Sequence, residues 1–357
     1  MSKTMRAARW YGPKDIRVED VEVPEVKAGE VKIKVEWCGI CGSDLHEYLV
    51  GPIFIPVGSV HPITQEKAPV ILGHEFAGEI VDKAEGVDNL EVGDKVTLEP
   101  IWACGECEKC KRGDYQICEQ LGFHGLAGGG GGLAEYTTFP AEFVHKLPKG
   151  VSTEEGALVE PIAVAVHSLR RGKFVQGETA LVTGAGPIGL STILALKSAG
   201  AQKIISVEIA EARKKFALEF GADIVLDPTE VDVVEEVMKL TNGKGVDAAF
   251  EATGVQAGFK TAVASVDRGA RVVVTSIWEE EVEFHLNNLV LAEKEILGAL
   301  AYNRGVFPAT ISLVEDGRID AQKMITKKIQ LEDVVKEGFE ELVKNKDKHV
   351  KIIVTPE

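Results

Sequence analysis

The chain of 357 residues is 45% hydrophobic and 27% charged, a globular rather than a disordered composition. At about 100–200 residues per domain the length suggests two domains, each able to bury a core without disulfide staples. A formal charge of −16 would repel a phosphate backbone, which argues against nucleic acid as a partner, and no apolar run approaches the roughly 18–20 residues of a membrane span. The N-terminus lacks an apolar signal core, so the expected location is the cytoplasm, with no membrane partner.

Residues up to about 155 read as mostly β. Segment 31–37 alternates apolar and polar residues with period two, as a half-buried strand does. Short β-like runs follow at 76–81 and 95–98, punctuated by Gly and Pro, which suggests a small irregular barrel or sandwich. Near residue 175 the rhythm changes. Expected strands at 179–183, 203–208, 224–226, 246–251 and 270–276 alternate with expected helices at 187–199, 210–220, 231–240 and 259–266. That alternation implies βαβ units and an α/β doubly wound parallel sheet of Rossmann type. A last apolar strand at 350–354 can rejoin the first domain, so that the second is inserted within it.

Gly184, Gly186 and Gly189 form a G-x-G-x-x-G pattern between an expected strand and an expected helix. Gly184 permits the turn, Gly186 lets backbone N–H groups approach a pyrophosphate, and Gly189 lets the helix pack closely. Pro187 and Ile188 open that helix, and its N-terminus favours an anion. Glu208 closes the next expected strand, about 20 residues on, where a carboxylate accepts from ribose hydroxyls and repels a 2′-phosphate. NAD is therefore expected over NADP. Arg213 is a candidate for the adenosine end or a solvated helix residue. The plainer reading of the whole motif is a glycine turn that binds nothing.

Four of the six cysteines, Cys104, Cys107, Cys110 and Cys118, lie within 15 residues as C-x2-C-x2-C-x7-C. Four thiolates at such spacing can close a tetrahedron around one zinc ion and leave no place for substrate, a structural site. A second, dispersed set comprises Cys41, His74, Glu75 and Glu160. A mixed S/N/O set with an open position suits a catalytic zinc, although spacing alone does not bring these residues together.

The motifs carry a resemblance that covers nearly the whole chain. With 73–78 reading Gly-His-Glu-Phe-Ala-Gly, 41–46 reading Cys-Gly-Ser-Asp-Leu-His, the four-cysteine lobe and the glycine turn in that order, the chain resembles the zinc-dependent medium-chain alcohol/polyol dehydrogenases. Within that family it most resembles the (R,R)-2,3-butanediol dehydrogenases, through stretches 38–48, 51–56, 122–132 and 157–161. The resemblance implies a mainly β, GroES-like catalytic domain at 1–160 and 301–357, with a zinc lobe at 100–120, and a Rossmann NAD-binding domain at 161–300. It implies two zinc ions per subunit, NAD, and a small alcohol, diol or ketone as substrate. Sorbitol-like polyols and L-threonine are the alternative substrates. Cys41 and His74 become catalytic-zinc ligands, with either Glu75 or Glu160 as the acidic partner.

The expected chemistry is a metal-lowered alcohol pKa and hydride transfer to nicotinamide. Ser43 would take the alcohol proton. The resemblance carries the path on through the cofactor ribose to His46, a residue suited to proton release. The plainer alternatives are a helix cap for Ser43 and a surface role for His46. Asp44 either orients His74 or caps a helix. Cys38 is expected as a packed thiol, and His61 and His124 as ordinary surface residues, with lining of the substrate cleft as the alternative for either. The run 128–132 reads as a mobile lid or a passive linker. The resemblance also implies a homo-dimer or homo-tetramer paired through the nucleotide domains, with 278–300 near the interface.

Overall fold

The computed structural model describes residues 3–356. The chain divides into two compact units. One comprises 1–160 with 303–316 and 321–357, and the other 161–302 with 317–320.

The first unit opens with β1 (Thr4–Gly12), β2 (Asp15–Glu22) and β3 (Glu30–Gly39), followed by helix α1 (Gly42–Leu49). Then come β4 (Val70–Ile71), β5 (Glu75–Lys83), β6 (Lys95–Leu98), β7 (Ile101–Trp102), β8 (Gly122–Phe123), β9 (Tyr136–Pro140) and β10 (Val144–Lys146). The alternation in β3 holds: Val31, Ile33 and Val35 are fully buried while their neighbours are half-buried. Register shifts interrupt its ladder with β5 between Lys32 and Ile33 and between Val35 and Trp37. Such bulges re-aim a strand; beyond the second, Cys38 pairs with Phe76 and Gly39 with Glu75. The chain thus reaches Cys41 directly beside the segment that carries His74 and Glu75.

The second unit holds β11 (Thr179–Thr183), β12 (Lys203–Val207), β13 (Ile224–Leu226), β14 (Val246–Glu251), β15 (Val266–Val274) and β16 (Glu295–Gly298). All their pairings are parallel, in the order β13-β12-β11-β14-β15-β16. This is the doubly wound order, with its switch point between β11 and β14, where ligands bind at the strands' carboxyl ends. The connecting helices Pro187–Ser198, Glu211–Phe220, Val233–Leu240 and Gln256–Ser265 follow the expected alternation. Two boundaries differ. β15 begins at Val266, earlier than the periodicity indicates, and β16 was not legible because its four residues are largely exposed.

The chain returns to the first unit with β17 (Ile325–Gln330) and β18 (Lys351–Thr355). β18 pairs antiparallel with β3, setting Val354 opposite Cys38. The larger sheet runs β10-β6-β5-β3-β18-β17 with β9 also on β3, and the smaller runs β2-β1-β4. The core of this unit gathers Trp10, Ile33, Leu72, Phe76, Phe139 and Phe339.

Candidate functional site: a metal centre and a dinucleotide turn

Cys41 is the N-cap of α1, and its backbone N–H donates to Asp44 Oδ2 at 3.0 Å. The other oxygen of Asp44 lies 3.5 Å from His74 Nδ1. Asp44 therefore braces the helix start from its N3 position, leaving the cap to Cys41, and faces the histidine at once. Ser43 Oγ stands 3.1 Å from His74 Nε2. It lies inside α1 and leaves the cap position to Cys41. His46 sits three residues further along the same helix, half-buried.

One ligand atom each from Cys41, His74 and Glu75 falls within a 4.8 Å group. Sulfur, nitrogen and carboxylate oxygen together suit zinc. The fit is supported by His74 Nδ1 and Asp44 Oδ1, both buried without a well-formed hydrogen bond. A histidine that ligates through Nε2 presents its Nδ1 proton to such a carboxylate, which orients the ring. Burial pushes the His74 imidazole down, but Asp44 and Cys41 lift it well above its ordinary range. Glu160, in the first turn of helix Val159–Arg171, is buried. Among the described residues it does not join the three-residue group.

Lys351 enters this centre from β18. Its ammonium donates to both Glu75 oxygens, at 2.6 Å to Oε2, and to Ile40 O at 3.3 Å. Burial pushes the ammonium down, yet the carboxylate of Glu75, then Cys41 and Glu160, raise it overall. A Cβ on Gly39 would collide with the Glu75 carboxylate, and one on Gly73 (φ +95°) with Cys38 Sγ. Cys38 itself is fully buried, with Sγ 3.5 Å from Gly39 O, and burial raises its thiol well above the usual range.

In the lobe, Cys104 Sγ lies 3.9 Å from Cys110 Sγ and 3.5 Å from Cys118 Sγ, and Cys107 and Cys110 are 3.5 Å apart. Tetrahedral zinc with bonds of about 2.3 Å sets sulfurs about 3.8 Å apart, while a disulfide needs about 2 Å. All four are free thiols, grouped closely enough that one ion could bind them. A backbone N–H from Cys110 helps draw the Cys107 thiol down to about 6, whereas burial pushes Cys110 up to about 12. Tyr115 hydroxyl donates to the Glu99 carboxylate, which also meets His145 Nε2 at 2.7 Å. This buried polar network ties the lobe to β6 and β10.

The run 128–132 is neither a mobile lid nor a passive linker. Trp102 Nε1 donates to Gly128 O at 3.1 Å, Gly129 N to Glu66 Oε2 at 3.0 Å, and Gly132 N to Gly73 O at 2.8 Å. A Cβ on any of the five glycines would collide with a neighbour, including Trp102, His124, Leu72 O and Phe76. The expectation of surface histidines also fails. His124 is fully buried among Phe76, Trp102 and Phe139, its Nε2 2.7 Å from Thr137 Oγ1, and burial lowers its imidazole to about 3. His61 is buried too, and its Nδ1 accepts from Ile63 N and Thr64 N. Sequence patterning does not distinguish a loop that packs on a core from one that faces water.

In the second unit Gly184 has φ +88°, Gly186 caps helix Pro187–Ser198, and Pro187 occupies its first turn. A Cβ on Gly189 would collide with Gly184 O, whereas one on Gly186 would meet only Arg213 Nη1, at 4.0 Å. The turn is packed from below and open over Gly186, as a backbone cradle for a pyrophosphate requires. Ile188 is half-buried. Glu208 is buried, and its carboxylate accepts from Ala185 N at 2.9 Å, Ile209 N at 2.8 Å and Ala210 N at 2.9 Å. It therefore braces the glycine turn, a role the spacing did not announce, and keeps about one lone pair of four for a ribose hydroxyl. Glu251, at the end of β14, accepts from Thr253 N at 2.7 Å and Gly254 N at 3.1 Å and from the Ser276 hydroxyl, joining two loops at the carboxyl edge of the sheet.

Comparison with known proteins agrees with both units. The family model described as an alcohol dehydrogenase GroES-like domain matches residues 27–149, and the one described as a zinc-binding dehydrogenase matches 187–316. An (R,R)-butanediol dehydrogenase of Bacillus subtilis is 51% identical over 353 residues, 99% of this chain and 100% of that protein. The chain belongs to the zinc-dependent alcohol dehydrogenase family. A second (R,R)-butanediol dehydrogenase, from Neisseria gonorrhoeae, is 45% identical with 99% of each chain covered. The crystal structure of 2R,3R-butanediol dehydrogenase from Bacillus subtilis superposes with a TM-score of 0.94 at 50% identity, covering 99% of this chain and 100% of that one. As a member of this family the protein is an oxidoreductase acting on CH–OH groups, with zinc and NAD as cofactors.

Three residues that brace these sites escaped the sequence reading: Lys351, Glu251 and Glu99. For Lys351 a signal existed, a lysine opening an otherwise apolar strand. The two carboxylates had none, because each is defined by backbone donors or partners distant in sequence.

Proposed function

We propose that the chain catalyses the reversible, NAD-linked oxidation of (R,R)-2,3-butanediol to acetoin, and the reduction of acetoin and diacetyl. The observation that carries this reading is the Cys41–His74–Glu75 group with Ser43 against His74, in a chain similar over its whole length to diol dehydrogenases. Cys41, His74 and Glu75 would hold the catalytic zinc, with Glu160 the other candidate for its acidic partner, and Cys104, Cys107, Cys110 and Cys118 the structural one. Bound there, zinc supplies a Lewis acid that lowers the pKa of the alcohol, and NAD supplies the hydride acceptor. Ser43 takes the hydroxyl proton at Oγ, and His46 on the same face of α1 passes it to solvent. The glycine turn holds the pyrophosphate, while Glu208 and Arg213 address the adenosine end.

The same reading places the enzyme in the cytoplasm as a homo-dimer or homo-tetramer. Among the described residues no helix is long and apolar enough to cross a membrane, and the free thiols fit a reducing compartment. Leu286, Val290, Leu291 and Leu300 are exposed beside the edge strand β16, which supports pairing through that edge.

Initial rates of NAD⁺ reduction by zinc-replete protein test the substrate. The panel is (R,R)- and meso-2,3-butanediol, sorbitol and L-threonine, each with and without a chelator. A preference for the (R,R)-diol that is lost on chelation is expected. A preference for sorbitol or threonine would overturn the substrate and keep the chemistry.

A further inference from the structure

The carboxylate of Glu47 is fully buried in the last turn of α1, and it faces only donors. Backbone N–H groups of Ile53 and Ile55 reach its Oε1 at 3.0 and 3.2 Å, with that of Phe54 between them, and Ile53 N also reaches Oε2 at 3.1 Å. All three amides converge on Oε1 and that of Ile53 is shared with Oε2, so both oxygens face N–H donors as acceptors. The fit is tight, for a Cβ on Gly51 would collide with Glu47 Oε2 and Glu47 O. The backbone of Glu47 is held as well, its carbonyl accepting from Trp10 Nε1 at 2.9 Å.

What Glu47 ties together matters more than the tie. At its other end α1 carries Cys41 and Ser43, which meet His74 and Glu75. The clamped segment presents Ile53, 41% exposed, and Phe54, whose ring packs edge-on against Phe123 at 6.1 Å. Phe123 precedes His124, which packs on Phe76 at 5.8 Å, next in the chain to Glu75. An apolar segment is thereby fixed in register with the metal centre at both ends, without contributing a ligand.

We propose that Glu47 is a positioning residue for alcohol recognition: its carboxylate holds segment 51–56 as a preformed apolar wall against the carbon skeleton of the diol. This rests on reading the Cys41–His74–Glu75 centre as the alcohol site. A preformed wall contributes to binding and to choice between stereoisomers, because its ordering is complete before substrate arrives.

The test uses the zinc-loaded enzyme with NAD and compares wild type with Glu47→Gln. That change keeps the shape but turns one acceptor into a donor facing N–H groups. The expected result is a KM for (R,R)-2,3-butanediol raised at least fivefold, kcat within twofold, and a reduced preference over the meso isomer. Zinc content and KM for NAD should not move, and the amides of residues 53–55 should exchange hydrogen faster. Faster exchange with unaltered KM and stereoselectivity would overturn the proposal, as would unaltered exchange. Should Glu47→Gln fail to fold, Gly51→Ala crowds the same carboxylate from the loop side and is read identically. A wild type inactive on the diol would overturn the substrate alone, and the split between KM and kcat is then read on the alcohol it does oxidise.

Discussion

Lys351 buries its ammonium on the carboxylate of Glu75, so the last strand of the chain neutralises a residue of the candidate metal centre laid down in β5. Both side chains are almost completely out of water. Such a pair is costly to bury and costlier to halve, because the remaining charge has no partner. Glu75 has two oxygens, and a metal that takes one leaves the other to Lys351.

Lys351→Met should therefore destabilise the zinc-free protein by about 3–5 kcal/mol, the range for breaking a buried pair. Zinc should narrow the gap, since the cation offers Glu75 a second partner. Urea unfolding of wild type and variant, each with and without zinc, measures this. An equal gap in both states would separate Glu75 from the metal.

Ser43 Oγ sits 3.1 Å from His74 Nε2, at the metal centre rather than at the helix cap. Ser43→Ala should lower the hydride-transfer rate on the order of 100-fold, the low end for a lost proton-transfer group, with zinc content preserved. Single-turnover rates equal to wild type would remove Ser43 from the proton path.

The four sulfurs of the lobe already stand near tetrahedral spacing. Cys118→Ser should lower bound zinc from about two to about one per chain and reduce Tm, because a structural site contributes folding energy directly. Metal analysis beside calorimetry reads both. An unchanged Tm with one zinc lost would mean that the Tyr115–Glu99–His145 network holds the lobe without metal.

His124 carries a pH signature. Its folded pKa, depressed by burial to about 3, lies below the ordinary value of 6.5. Below 6.5 the unfolded chain gains a proton that the folded protein refuses, so stability is full above that pH and falls as pH drops toward 3. The slope from this one group approaches about 1.4 kcal/mol per pH unit. His124→Phe should flatten the fall between pH 6 and 5 relative to wild type in denaturant titrations. Parallel curves would show that His124 is not buried neutral.

The nucleotide half was legible because its signals are local. Hydrophobic period, the Gly184–Gly189 turn and the carboxylate closing β12 each fall within a few tens of residues, and backbone geometry permits few other uses of them. The four-cysteine lobe was legible for the same reason. In the catalytic half the elements were recognisable while their meeting was not. Cys41 and His74 come together where β3 pairs with β5, and Lys351 reaches Glu75 because β18 pairs with β3.

The sequence alone supplied the residue chemistry: a thiol, an imidazole and carboxylates suited to one metal, four thiols suited to another, and a glycine turn suited to a phosphate. Tertiary structure decided which carboxylate joins Cys41 and His74, that Asp44 serves helix and histidine together, and that five consecutive glycines form a packed wall. It also decided that His124 is buried. The physical reason is that burial, charge neutralisation and close approach belong to groups brought together across long loops, and such proximity leaves no periodic trace in the chain.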